Sequence, residues 1–452
     1  MAVTVTSDNV KVPKRILASL LSSLSAGVVP RSGAPYIAIG RSEEIAAFLS
    51  DLEQINDGGG TMRFLIGRYG SGKSFLMQLV RGYALERGFV SADADLSPER
   101  RLYGSGGSGV ATYRELLKNL AVKASPDGGA LPILLSKWID GRRSALAGSG
   151  LLPGDEEFEK RLSADIFSEL SSIDGLVGSF DFSSVICEYY KAYTGGDDEK
   201  KSACLRWLRG EYANKTEAHI ALGMRVSTVI DDDNWYDFLK IWACFVRRIG
   251  YRGLIVFIDE CVNLYKITNR VSRENNYEKI LSMFNDTLQG RAPGLGVVFG
   301  GTPQFLEDTR RGLFGYEALR SRLCDSRFAS DEFVNLIGPV IRLRRLSDDE
   351  LLALISRVTR LHGEYYGVTP RISEAEMAEF LELSLSRAGA GELVTPREML
   401  RDYLSVLGIL LQNENATFAD VVKRAKAEKT DKEERADKET KENDVSFSDI
   451  EL

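Results

Sequence analysis

Three short, largely apolar runs stand out in a chain whose other hydrophobic residues mostly recur at helical spacing. Thr61-Met-Arg-Phe-Leu-Ile66, Leu254-Ile-Val-Phe-Ile258 and Gly296-Val-Val-Phe-Gly-Gly-Thr302 are short and rich in β-prone residues, which predicts strands. The second is apolar at every position, as a central parallel strand buried on both faces must be. Phe89-Val-Ser-Ala-Asp-Ala-Asp95 predicts a further core strand. Elsewhere the period changes. Ile16, Leu17, Leu20, Leu21 and Leu24 share one helical face, with Pro13 near the start and Gly27 just past the end. That pattern predicts an amphipathic packing helix rather than a signal-peptide core. Amphipathic segments near 156–173, 181–194 and 198–213, and Trp235 to Arg248, predict a mostly helical insertion before the 254–258 strand. Ser347-Asp-Asp-Glu350, Ser373-Glu-Ala-Glu376 and Thr395-Pro-Arg-Glu398 each open a helix with a capping-box pattern.

Two of the strands end in residues that carry chemistry. After Ile66 comes Gly67-Arg68-Tyr69-Gly70-Ser71-Gly72-Lys73-Ser74, then an apolar-periodic stretch beginning at Phe75. Glycines at this spacing let successive backbone N–H groups turn around a polyanion while a helix N-terminus points its positive end at it. Lys73 is placed for the β- and γ-phosphates and Ser74 for Mg²⁺, which predicts a site for a nucleoside triphosphate such as ATP. The 254–258 strand ends in Asp259-Glu260. A carboxylate at such a tip can hold Mg²⁺, and Glu260 is placed to orient or deprotonate an attacking water. Gly104-Ser-Gly-Gly-Ser-Gly109 fails as a dinucleotide fingerprint, because no apolar strand precedes it.

Composition narrows the function classes. The 452 residues are 44% hydrophobic and 27% charged, values of an ordinary globular chain with room for two or three domains. A net charge of −7 argues against a whole-protein grip on nucleic acid, leaving only a local basic face for weak, non-specific DNA contact. Arg310-Arg311, Arg320/Arg322/Arg327 and Arg342/Arg344/Arg345 are the candidate faces, with ion pairing to Asp and Glu on the same surface as the alternative, favoured for the last group. Five scattered cysteines without a C-x-x-C suit reduced thiols in the cytoplasm, and two histidines leave little material for zinc or histidine-based catalysis. No segment has the apolar length of a membrane span. From Lys423 to Asp444 the chain alternates Lys, Glu, Asp and Arg, reading as a solvated helix or disorder. Val445-Ser-Phe-Ser-Asp-Ile-Glu-Leu452 then restores apolar residues, reading either as a docking motif or as a frayed tail.

The arrangement resembles a known family. Ile39-Gly-Arg-Ser-Glu-Glu-Ile45, the Gly67–Ser74 loop, Ala92-Asp-Ala-Asp-Leu-Ser-Pro-Glu-Arg100, Ala111-Thr-Tyr-Arg-Glu115 and Gly301-Thr-Pro-Gln-Phe305 look like the ATP-binding proteins of BREX-type phage-defence islands (BrxD-like). That family is related to the origin-recognition initiator branch of AAA+ ATPases. The resemblance implies an α/β fold with an AAA+ P-loop core, a parallel sheet with flanking helices, a large helical insertion and a C-terminal helical lid. It implies a helical segment over 1–38, a core over 39–335 with its insertion at about 103–245, a lid over 336–415 and a charged tail over 416–452. In the initiator branch the residues matching Gly40, Arg41 and Glu44 lie along the adenine. The family pattern also maps a polar residue on the γ-phosphate or water onto Thr302, with Gln304 as substitute, and a trans-acting arginine onto Arg322. An arginine of the lid that reports on the γ-phosphate maps onto Arg397. By local sequence Thr302 also reads as a helix cap, Arg322 as part of a salt-bridged surface helix, and Arg397 as a plain surface residue. Initiators carry a winged helix after the lid, which has no counterpart here. The implied function is an ATP-hydrolysing switch or motor in phage defence, a homo-oligomer working with a helicase or other defence-island partners. A nucleotide-binding scaffold with little hydrolysis and a STAND-like signalling NTPase are the alternatives.

Overall fold

The computed structural model describes residues 12–104, 106–171, 176, 178–325, 335–387 and 395–423. Its centre is a five-stranded sheet in the order β2-β3-β4-β1-β5, with every pairing parallel. The strands are β1 (Thr61–Ile66), β2 (Val90–Asp95), β3 (Leu254–Asp259), β4 (Leu295–Gly301) and β5 (Val340–Arg342). All four predicted strands are present. β1 and β4 are buried along their whole length and β3 up to its tip, which explains the lack of polar–apolar alternation in their sequences. β4 lies between β1 and β3, so the strand ending before Thr302 separates the two that end in the glycine loop and in Asp259-Glu260. The short edge strand β5 has too few residues to announce itself in sequence.

The chain divides into two compact units: residues 43–68 with 79–343, and the chain before and after them together with Tyr69–Gln78. The first unit holds the sheet and the helices between β2 and β3. Phe64 and Phe299 stack across β1 and β4 at 5.5 Å. Among the helices, Phe182 meets Trp242 edge-on at 5.0 Å and Trp138 meets Phe245 edge-on at 5.2 Å, the offset geometry that ring quadrupoles favour. The polar ends of this cluster are satisfied: Trp242 Nε1 donates to the Tyr113 hydroxyl at 3.0 Å, which donates to the Leu208 carbonyl at 2.8 Å. The predicted helices appear as Glu156–Ser171, Ser179–Gly195, Asp198–Leu208 and Trp235–Arg248. Three further helices, Ser42–Asn56, Leu131–Ala147 and Arg270–Leu288, had no clear sequence signal. The last of these is rich in Arg, Asn and Glu, which dilutes its apolar stripe.

In the second unit Lys14–Ser25 packs with Asp348–Tyr366, Glu374–Arg387 and Pro396–Gln412 around Leu17, Leu20, Ile355, Val358 and Tyr403. The capping boxes at Ser347/Glu350 and Thr395/Glu398 form as expected. Ser373 and Glu376 also cap each other, through backbone donors at 3.3 and 2.7 Å. Among the described residues no helix is long and apolar enough to cross a membrane. Arg327 and the Lys423–Asp444 and Val445–Leu452 readings fall wholly or almost wholly outside the described residues.

Candidate nucleotide-binding site

The strand pairing of β1 continues one residue beyond its end, where Gly67 N–H donates to the Gly301 carbonyl at 3.1 Å. The chain then enters the glycine loop. Gly70 and Gly72 take φ of 77° and 91°, left-handed values that only glycine adopts without strain, and the Lys73–Glu86 helix starts directly after them. Gly70 is fixed a second time, because a Cβ there would lie 2.6 Å from Thr395 Cγ2, the residue capping the Pro396–Gln412 helix. Arg41 is buried, and its guanidinium donates to the Ser71 carbonyl at 2.9 Å and the Arg344 carbonyl at 2.8 Å. It therefore holds the loop's backbone from behind. Arg344 grips Glu350 through both guanidinium nitrogens at 2.5 and 2.6 Å, and with the amide of Ser347 this lowers the Glu350 carboxyl to about 2. Gly40, at φ 67°, passes so close to Glu350 that a side chain there would overlap its carboxylate. The loop also contains an orphan: the Ser71 hydroxyl is buried and has no hydrogen-bond partner. Arg68 and Tyr69 are exposed, Lys73 and Ser74 half-buried, and Phe75 packs against the second unit's core.

Within the sheet unit, parallel pairing brings Gly67, Asp259 and Thr302 to one edge, at the C-terminal ends of β1, β3 and β4. Glu260 follows with φ 58°, unique for a non-glycine residue among those described. That conformation costs about 1–2 kcal/mol and persists only where surrounding bonds enforce it. Here Glu260 N–H donates to Asp259 Oδ1 at 2.8 Å, and the Asn263 side chain donates to the Glu260 carbonyl at 3.2 Å. Asp95 is the register partner of Asp259 on β2. Its carboxyl is pushed above the usual range, first by partial burial and then by the charges of Asp259, Glu260 and Asp93. Negative charge is thus concentrated at the strand tips.

The remaining predicted residues have local partners. Thr302 caps the Pro303–Glu307 helix, accepting from Phe305 N–H at 3.4 Å. Arg322 is exposed on Glu317–Leu323 and donates to Asn285 Oδ1 at 3.2 Å and the Ala318 carbonyl at 2.7 Å. Arg397 is exposed in the first turn of Pro396–Gln412. The basic faces are partly consumed: Arg342 pairs with Asp325 and Glu307, and Arg311 donates to the Tyr265 and Ile267 carbonyls. The second glycine-rich stretch carries its own anion, since Gly107 and Val110 N–H both donate to the Asp232 carboxylate at 2.8 Å. A residue that sequence reasoning missed is Asn263, whose only signal was its place three residues after Glu260.

A glycine loop following a buried strand of a parallel sheet, with the next strand but one ending in paired carboxylates, is the architecture of an α/β protein consistent with a P-loop core. The family model described as BREX system ATP-binding protein BrxC/D matches residues 12–426, and the chain belongs to that family. A comparison with curated proteins finds no match. Membership supports a role in BREX phage defence alongside other BREX proteins.

Proposed function

We propose that this chain is an AAA+-type ATPase that binds and hydrolyses ATP as a switch or motor of BREX defence. The observation that carries the reading is the tip of β3, where Glu260 is held in a strained left-handed conformation directly after Asp259. Strain retained at one acidic residue at a strand tip, in a chain that also carries a phosphate-loop sequence, points to a catalytic carboxylate. In this reading the amides of Gly70–Ser74 and the Lys73 ammonium hold the phosphates, and the unpartnered Ser71 hydroxyl has a ligand oxygen to meet. Glu260 orients the attacking water. Arg41 acts by fixing the loop rather than by facing the base.

The donor set fits Mg²⁺. Mg²⁺ characteristically takes one or two protein oxygens with phosphate and water, and a serine hydroxyl with one carboxylate is such a donor set. Ser74 and Asp259 are the residues that would hold it, and the excess negative charge reflected in Asp95 suits a cation. When bound, the ion neutralises phosphate charge during transfer. Arg322, exposed, would serve a neighbouring copy, with Arg397 reporting on the γ-phosphate. A scaffold with little hydrolysis is the second reading, favoured by the engagement of the Thr302 hydroxyl in a helix cap. Steady-state ATP turnover with and without DNA, alongside the mass of the assembly under ATP, separates them. Turnover above background in an assembled species supports the ATPase. Tight ATP binding with no turnover under any of these conditions supports the scaffold. DNA binding by the chain alone should be weak, without sequence preference and steeply reduced by salt.

A further inference from the structure

Shortly after Asn263, two arginines from distant parts of the chain converge on one carbonyl. Arg273, closing the first turn of the Arg270–Leu288 helix, donates to the Ile267 carbonyl at 2.7 Å. Arg311 donates to the same carbonyl at 3.3 Å and to that of Tyr265 at 3.2 Å. Its guanidinium also lies over the Tyr265 ring at 5.3 Å. Carbonyl oxygens accept these hydrogen bonds but carry no net charge, so neither cation is neutralised. Arg273 is only 7% exposed, and an arginine so buried is ordinarily paired with an acid.

No such pair is present. Among the described residues, none of Lys266, Arg273, Arg310 and Arg311 forms an ion pair. Asp308 is the acid beside them, and its carboxylate accepts from the Arg310 and Arg311 amides at 2.7 and 3.0 Å and from the Tyr265 hydroxyl at 2.9 Å. The four cations against this one carboxylate leave three positive charges in excess, on a chain of net −7. The helix start adds to them. The positive end of a 19-residue helix favours acids in its first turn, yet this turn has none and carries Arg270 and Arg273 instead. Arg270 is offset by Glu274 at 2.7 Å; Arg273 is not.

The planar fork of a guanidinium matches the oxygens of a phosphate. The exposed Lys266 and Arg310 flank the two converging arginines and extend the charge beyond what a lone anion needs, which suits a backbone of successive phosphates. We propose that Arg273 and Arg311, flanked by Lys266 and Arg310, form the site where this chain holds the phosphate backbone of a nucleic acid. The inference rests on the reading of weak, sequence-independent DNA contact, and it gives that contact a place. It does not depend on ATP hydrolysis.

The test titrates a short fluorescein-labelled DNA duplex with the full chain, without nucleotide, and follows anisotropy at several salt concentrations. Lys266→Gln and Arg310→Gln lie at exposed positions, so folding is retained. Each should weaken binding about fivefold at low salt and lower the slope of log K against log salt by about one, the loss of one phosphate contact. Arg273→Gln combined with Arg311→Gln should weaken binding further, with circular dichroism verifying the fold. Arg320→Gln, the same charge change on another basic face, should leave affinity within about twofold. Unlabelled duplex should compete better than poly-glutamate of equal charge. Unchanged binding in both Lys266→Gln and Arg310→Gln, or an equal loss with Arg320→Gln, would overturn the site. Better competition by poly-glutamate, or saturable binding of inorganic phosphate with none of DNA, would overturn nucleic acid as its ligand. Absence of both DNA and phosphate binding to the wild-type chain at every salt concentration would overturn the DNA reading itself and the site with it.

Discussion

Asn263 donates one side-chain nitrogen to two carbonyls, that of Glu260 at 3.2 Å and that of Leu96 at 2.8 Å. The first bond holds the strained residue, and the second ties it to the end of β2, whose Leu96 N–H also donates to the Asp259 carbonyl at 3.0 Å. Asn263 is therefore a positioning residue for Glu260. Asn263→Ala should leave ATP affinity within about twofold while lowering kcat about tenfold, a loss confined to the transition state. Asn263→Asp, nearly isosteric but unable to donate when ionised, should behave like Ala. Turnover and binding measured on both variants check this. A fall in ATP affinity equal to the fall in kcat would assign Asn263 a general structural role instead.

Asp95 makes a pH-dependent prediction. A carboxyl whose pKa is raised on folding binds its proton more tightly in the folded state. Its contribution is most favourable below the ordinary value of 3.8 and is lost as pH rises through the folded value. Asp95→Asn should thus raise Tm at pH 7 by a small amount, on the order of 1–2 °C because solvent reaches the side chain and screens a carboxyl only partly desolvated at the strand tip, and the gain should vanish near pH 3. Mg²⁺ with nucleotide should stabilise wild type more than the variant. Thermal scans across pH, with and without the ion, provide the measurement.

Two glycines on either side of the loop's end have opposite requirements. Gly70→Ala must adopt φ 77° and meet Thr395 Cγ2 at 2.6 Å, so ATP affinity should fall at least tenfold. Gly82, inside the Lys73–Glu86 helix, has nothing within 4 Å of a built Cβ. Gly82→Ala should stabilise by up to about 1 kcal/mol and leave ATP binding unchanged. Nucleotide titration and denaturant unfolding of both variants distinguish them.

Much of the fold was legible where a single local rule decided it. β1, β3 and β4 are buried strands, and their largely apolar runs say so; the two capping boxes at Ser347 and Thr395 are fixed by residues three apart. The glycine loop was legible because left-handed backbone at Gly70 and Gly72 demands glycine. What stayed hidden depends on residues distant in sequence. Nothing near Arg41 announces that its guanidinium would close on the carbonyls of Ser71 and Arg344, 30 and 303 residues away. The same holds for Asn263 and Leu96, and for Asp232, which fills the helix N-terminus at Gly107. Arg342, which in sequence suits a DNA contact or, more readily, surface ion pairing, pairs with Asp325 and Glu307, and neither partner is adjacent in sequence.

The central claim is that Glu260 activates water for ATP hydrolysis. It is tested most directly by measuring ATP binding and steady-state turnover on wild type and Glu260→Gln side by side. The substitution preserves size and hydrogen bonding while removing the base, so affinity should be retained and kcat should fall by roughly two orders of magnitude or more. Lys73→Ala, by contrast, should weaken binding itself. Equal turnover in wild type and Glu260→Gln would contradict the account.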